Sequence, residues 1–453
     1  GSIFPPDRNN FAPRIGFAYK LTSRDDVVLR GGIGVFYDQI NMNPFLDFRP
    51  PNNADGLEDN PAGPRPVSTY GANRLGATSY NWETTEGPGH TQSIFPGVST
   101  CVTGNVATDP HCGTSVFDVF SVNQNFRTPY FFNYNLNVEK SFGNGMAVWQ
   151  VGYVGSEGRK LSIMLNINQL PGGATKVNPI TGQATTNGNF ITQFPNYGGI
   201  NQLNSIGTSN YNALQTTLRL RAWHGLSTQL AYTWAHELDE ISAYRGAIPF
   251  DSNNFQAEYG NGDFDTRHNF SATLTWDIPG SSRGPRWVTH GWSLNSLMTF
   301  HGGQPLDEVR NGYDIIGNPF AGVSHAFQKT ASFTGVTWIN PAAFCLPAID
   351  GGAAPCSGPN IFGGDLRRNQ IYGPGFSDVD MSVLKNIPIT ERVRAQFRVE
   401  FFNLFNRTNL ASGVGATNPG NGNITDTIGD FNGAPGIGPG EAFNMQLGLK
   451  ILF

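Results

Sequence analysis

Segments in which apolar and polar residues alternate one for one recur along this chain, and that period-two pattern restricts it to sheet. In FFNYNLNVEK, Phe132, Tyr134, Leu136 and Val138 alternate with Asn133, Asn135, Asn137 and Glu139. In LQTTLRLRAW, Leu214, Leu218, Leu220 and Ala222 share one face, with Gln215, Thr217, Arg219 and Arg221 on the other. RHNFSATLTWDI and RVRAQFRVEFF repeat the pattern, and no segment sustains a helical period. Successive side chains of a strand point to opposite faces, so each segment is greasy on one side and hydrophilic on the other.

The alternation predicts eleven strands, near 12–21, 26–37, 130–142, 146–156, 210–222, 226–236, 267–278, 290–301, 376–386, 392–405 and 443–453. Most run to about 10–13 residues. A tilted strand crossing a bilayer needs ~9–11, whereas strands of soluble sheets average ~5–6. Composition agrees with this. Charged residues make up 14% of the 453, against roughly 25% in a soluble protein. Aromatics reach 12%, yet the mean hydropathy is negative. No run approaches the roughly 18 apolar residues of a membrane-spanning helix, a test that barrel strands fail anyway because their signal is weak.

The connections alternate in length. Short ones are 23–26, 141–145, 222–225, 279–290 and 387–392; long ones cover about 38–129, 157–209, 237–266, 302–375 and 406–442. Outer-membrane barrels have short periplasmic turns and long extracellular loops, while structureless loops of this length are implausible in a soluble domain. The expected fold is therefore all-β, an antiparallel transmembrane β-barrel in a Gram-negative outer membrane. An odd number of strands cannot return both termini to the periplasm, so the chain is expected to begin inside an extracellular loop, with at least one strand upstream. Gly1–Asn10 has no basic or apolar leader pattern, so no signal peptide is expected there.

The alternation also assigns faces. Trp149, Tyr153, Trp234, Trp276, Trp292 and Phe405 are expected at the lipid boundary, where amphipathic rings are favoured. Arg219, Arg221, Asp378, Asp380, Arg394, Arg398 and Glu400 are expected to face the lumen. Asp378 and Asp380 form either a cation site or, preferably, a solvated surface that meets Arg394 or Arg398 on the next strand. In the last strand Phe443, Met445, Leu447, Leu449, Ile451 and Phe453 share one face. An aromatic residue closing such a strand resembles the recognition signal of the outer-membrane barrel assembly machinery, which would pair an edge that is an aggregation hazard in water.

Cys101 with Cys112, and Cys345 with Cys356, form two sequence-local pairs in long loops. Their spacing does not suit a zinc knuckle and favours loop-stapling disulfides in an oxidising compartment. Other chemistry is missing. His236-Glu237-Leu238-Asp239-Glu240 lacks the second histidine of a zinc-protease motif, and no phosphate loop or nucleophile elbow occurs. No catalytic residue, metal ligand or cofactor is expected. EYGNGDFDTR (258–267) is read as a hydrogen-bonded cluster that orders a loop, with Ca²⁺ binding as the lesser alternative. The net charge of −5 contains no basic block, which argues against nucleic acid as a partner.

NNFAPRIGFAYKL followed by VVLRGGIGVFYD resembles a barrel hairpin of the Oar-like TonB-dependent receptors. The segments beginning TPYFFNYNLNVEK, SNYNALQTTLRLRAW, FDTRHNFSATLTWDIP and VRAQFRVEFFNLFNRTNL are similar to that family in the same order. The resemblance implies that residues 1–453 are the C-terminal part of a 22-stranded barrel. The regulatory-like domain, plug and TonB box of that family have no counterpart in this sequence. It further implies membrane lipid as surroundings, the TonB complex as partner through the N-terminal region, and an unknown extracellular ligand. Import of a bulky nutrient through a plugged barrel is the leading expectation. A surface-anchoring or adhesive barrel and a passive porin are the alternatives.

Overall fold

The computed structural model describes residues 4–22, 26–40, 119–169, 175–177, 184–186, 200–242, 248–249, 251–306, 314–323, 336–345, 366–411, 422–424, 427–428 and 442–453. Eleven strands run in chain order through one sheet: β1 (Arg14–Lys20), β2 (Val27–Tyr37), β3 (Tyr130–Phe142), β4 (Ala147–Asn166), β5 (Ile200–Trp223), β6 (Leu226–Asp239), β7 (His268–Asp277), β8 (Trp292–His301), β9 (Phe376–Pro388), β10 (Arg394–Phe402) and β11 (Asn444–Leu452). Every neighbouring pair along this path is antiparallel. The alternating segments and the strands coincide, except that β4 and β5 reach much further into the 157–209 loop than the alternation predicted. Phe405 and Phe443 fall just outside β10 and β11.

Short turns join the strands at one end. The turn between β3 and β4 needs left-handed backbone at three successive residues, Gly143, Asn144 and Gly145, which the sequence FGNG supplies without strain. Beside the turn between β1 and β2, Asp26 binds Lys140 of β3 at 2.5 Å and accepts a hydrogen bond from Thr22. That lysine, and secondarily the threonine, hold the partly exposed Asp26 carboxyl down to about 2.

Register carries each face across the sheet. On one side Trp149 of β4 lies opposite Leu218, Leu218 opposite Leu230, Leu230 opposite Ala272, Ala272 opposite Met298, and Met298 opposite Val379. One residue away on the other face, Gln150 is followed by Thr217, Ala231, Ser271, Thr299 and Asp378. Glycines on the apolar face make room for neighbouring rings: a Cβ at Gly155 would lie 2.2 Å from the ring of Tyr134, its partner across the ladder.

Among the described residues, no second layer covers the apolar face. Ile15, Phe17, Leu136, Leu218, Phe397, Met445, Leu447 and Leu449 are all exposed. Fully removing a side chain of this kind from water contributes about 1.5–3 kcal/mol, so a continuous face of them is costly to leave hydrated. Such a face is suited to acyl chains.

The buried hydrophobic residues cluster instead among the long connections. Leu306, Ile339, Ala343, Phe344, Leu366, Ile371 and Ile424 form one core. Phe126, Met164 and Leu203 form a second, with Phe4, Ile40 and Val122 against it. The long loops therefore carry structure of their own, including the short strand Val119–Val122, which adds parallel to the extension of β5.

Candidate functional site

At the loop end of the polar face, the EYGNGDFDTR segment folds back on β6. The two-residue strand Gly260–Asn261 pairs with Asp239 and Leu238, and Asp265 closes a turn onto Gly262. Glycine is required at 260 because a Cβ would meet the carbonyl of Arg368 at 2.7 Å. That approach brings the end of the 302–375 connection against the segment.

Arg368 is the centre of the contact. One guanidinium nitrogen donates to the Asp239 carboxylate and to its carbonyl oxygen at 3.2 Å. The other donates to Asp263 at 2.5 Å and to Ser242 Oγ at 2.8 Å. Ser242 donates in turn to Asp239 at 2.6 Å and accepts from the Asp263 amide at 2.9 Å. The side chains of Arg368 and Asp239 are 12% and 6% exposed, so the ions are largely removed from water and depend on one another. Asn369, in left-handed conformation, exchanges hydrogen bonds with Asn261: each side-chain amide donates to the other's backbone carbonyl, at 2.8 and 2.9 Å.

A second centre adjoins it. Asp265, with a side chain only 1% exposed, accepts from the Glu237 amide at 2.9 Å, from Arg267 Nε at 2.8 Å and from the Tyr372 hydroxyl at 2.5 Å. His236 lies 3.3 Å from the same carboxylate. Burial, reinforced by the hydrogen bond to Asp265, pushes the Tyr372 phenol up to about 12. The three aspartates are thus matched by Arg368 and Arg267. Among the described residues no group of His, Cys, Asp or Glu is arranged to hold a metal ion. Within the segment, Asp263 and Asp265 are engaged by Arg368, Asn369, Arg267 and Tyr372.

Below this clamp the polar face hollows into a recess of about 360 Å³, lined by Tyr211, Gln215, Thr233, Ala235, Glu237, Phe264, Asp265, Thr266 and Asn269. Phe264 is 66% exposed and stands among amides, hydroxyls and carboxylates. The recess thus sets an aromatic face beside hydrogen-bonding groups and the carboxylates of Glu237 and Asp265. The lining contains no cation.

The expected lumenal residues lie on one face but do not form one site. Arg219 pairs with Gln229, its Nε donating at 3.1 Å, and Arg221 sits at the turn end of β5. Arg394, Arg398 and Glu400 share the polar face of β10. The expected ion pair between Asp378 or Asp380 and an arginine of β10 is corrected. Arg398 binds Glu400 of its own strand at 3.0 Å, and Asp380 accepts from the Asn403 amide that ends β10. The aspartates occur near the start of β9 and face the end of β10, out of reach of its arginines.

Trp149, Tyr153, Trp234, Trp276 and Trp292 all lie on the apolar face, and Phe405 is exposed in the turn after β10. The indole N–H of Trp149 donates to Thr216, and the Tyr153 hydroxyl to Asn212. Trp276 and Trp292 donate to carbonyls of turn residues His224 and Val288. Phe443, Met445, Leu447, Leu449, Ile451 and Phe453 are exposed along β11. Cys345 is buried and disulfide-bonded. Cys101, Cys112 and Cys356 lie outside the described residues. Sequence reasoning found the 258–267 cluster but missed Arg368, Asn369 and Tyr372, whose only local signal was a short polar run before β9.

The family model described as outer membrane beta barrel domain matches residues 1–436. No curated protein matches the chain. Among solved structures it is similar to the outer membrane transporter YddB from Escherichia coli, at 9% identity and TM-score 0.47. It is similar also to the ferric enterobactin receptor from Pseudomonas aeruginosa (13%, TM-score 0.42) and the siderophore receptor PirA from Acinetobacter baumannii (11%, TM-score 0.43). Each comparison covers 98% of this chain but only 40–41% of the other.

Proposed function

The chain belongs to the outer membrane beta barrel domain family, and from that premise we propose that it forms part of a TonB-dependent importer of a bulky nutrient. Its place is the outer membrane of a Gram-negative cell. In this reading residues 1–453 are one barrel domain. Further strands continue the sheet beyond β1 to close a barrel of 22, since an open edge in lipid leaves backbone groups unsatisfied. A plug fills the lumen, and the TonB complex supplies energy through it. The Oar-like resemblance of the strand segments supports this assignment.

One observation supports the import reading: the polar face leads from the short turns to a recess walled partly by the 237–266 loop, which Arg368 pins to the 302–375 loop. A passive anchor has no need of two loops pinned together beside a recess in its polar face. Loops held on a rigid scaffold are where binding groups usually reside. The ligand is an oligosaccharide, peptide or metal chelate, captured by the loops and passed along the polar wall.

Uptake of a labelled nutrient mixture by cells carrying the full gene tests this. Uptake should stop when the proton gradient is collapsed, and Phe264→Asp should weaken capture while leaving the barrel in the membrane. Uptake that continues without the gradient would leave a porin or an anchoring barrel as the function.

A further inference from the structure

The turn between β7 and β8, residues 278–291, is the longest of the short connections. It contains two arginines and no carboxylate. Gly284 takes a positive φ, Pro285 precedes the turn of helix Arg286–Thr289, and that helix presents an exposed Trp287 and Val288. Arg283 and Arg286 are exposed beside them. A tryptophan left 69% exposed on a well-formed helix calls for a partner.

The neighbouring contacts fix which side of the sheet the helix lies on. Trp292 and Lys385 are opposite one another on the apolar face, continuing to Phe397. The Lys385 ammonium lies 4.6 Å from the Trp292 ring centre and donates to the carbonyls of Val288, at 3.1 Å, and His290, at 2.5 Å. Trp292 Nε1 donates to the same Val288 carbonyl at 2.6 Å. The helix end is therefore bound to the lipid side of the sheet. A cation on a lipid-facing register is tolerable because its head reaches these turn carbonyls. Trp287 and Val288 continue the apolar face below the strands, and Ile389 is exposed on the adjacent turn.

We propose that residues 278–291 anchor the barrel in the periplasmic leaflet. Trp287 and Val288 enter the boundary between headgroups and acyl chains, and Arg283 and Arg286 bind phospholipid phosphates. Phospholipid is the occupant because the patch is continuous with the lipid-facing surface and pairs an indole with cations, the combination favoured at that depth. This site depends on the membrane orientation alone and not on transport.

The test uses the full-length protein purified from outer membranes and reconstituted into vesicles of phosphatidylcholine and phosphatidylglycerol. The emission removed by Trp287→Phe should be quenched by phospholipid brominated high on the acyl chain and shielded from aqueous iodide. In a second arm, Arg283→Gln with Arg286→Gln should weaken the preference for phosphatidylglycerol over phosphatidylcholine by about fivefold per arginine, the scale for a basic side chain near an anionic surface. Inorganic phosphate should not compete. A heat-induced shift in gel mobility equal to that of the wild type reports that each variant keeps its fold. A Trp287 component open to iodide and untouched by brominated lipid would overturn the anchor, placing the helix in water or against a periplasmic protein. An unchanged lipid preference, or competition by inorganic phosphate, would overturn the headgroup contact.

Discussion

Replacing Arg368 by methionine should unpin the 302–375 loop from the 237–266 loop without unfolding the sheet. The variant keeps much of the side chain's apolar volume but removes four hydrogen bonds, to Asp239 twice, to Asp263 and to Ser242. Asp239 is then left buried without its counter-ion, whereas Asp263, with a side chain 24% exposed, recovers some hydration. Removing one member of a buried pair costs about 3–5 kcal/mol, and the exposure of Asp263 places this case near the lower end. A cost of about 3 kcal/mol is roughly a hundredfold in an equilibrium constant. Because the strands are held by their own ladders, the loss should appear as local opening. Hydrogen exchange by mass spectrometry should show amides of 366–372 and 260–265 exchanging up to about a hundredfold faster, with β7–β9 unchanged. Adding Asp239→Asn to the variant should restore part of the protection, since a neutral amide is less costly to bury unpaired. Exchange in both loops that stays at the wild-type rate would refute the assignment of Arg368 as the pin. So would acceleration confined to the strands.

Other outcomes follow from the two faces and the loop network. Leu218→Arg, on the apolar face of β5 near its turn end and level with Trp149, should destabilise the refolded barrel by about 1 kcal/mol, the interfacial end of the range for a lipid-facing arginine, while Thr217→Arg on the polar face should cost less; urea titration of the two variants in lipid compares them. The Tyr372 phenol is pushed up to about 12 from 10.0, so the folded loop favours the neutral form. Its contribution is fully present below pH 10 and is lost as pH rises from about 10 through about 12. Exchange at 366–372 should accelerate in that window, and Tyr372→Phe should abolish the pH dependence. Deleting Phe453, the exposed terminal aromatic of β11, should lower the amount of barrel in the outer membrane; quantitative immunoblotting of membrane fractions measures it.

The alternation of Phe132 to Val138 with Asn133 to Glu139 was enough to place β3, its two faces and its neighbours, because side-chain direction in a strand is set by the backbone alone and consecutive strands joined by tight turns have little choice of partner. The same local rule gave the eleven strand segments, and its largest misjudgement was where β4 and β5 ended, since their extensions lose the alternation. What Asp239, Asp263 and Asp265 would meet was not legible. Their partners Arg368 and Tyr372 lie more than a hundred residues away from most of them, delivered by a connection whose path depends on its own buried core of Leu306, Ile339 and Leu366. Arg398 shows the converse: the neighbouring strand offered it Asp378 or Asp380, the register left those aspartates several residues away, and it pairs instead with Glu400 on its own strand. A period fixes which way a side chain points; only the closed chain fixes the distance to whatever stands opposite, and ion pairs are decided by distance.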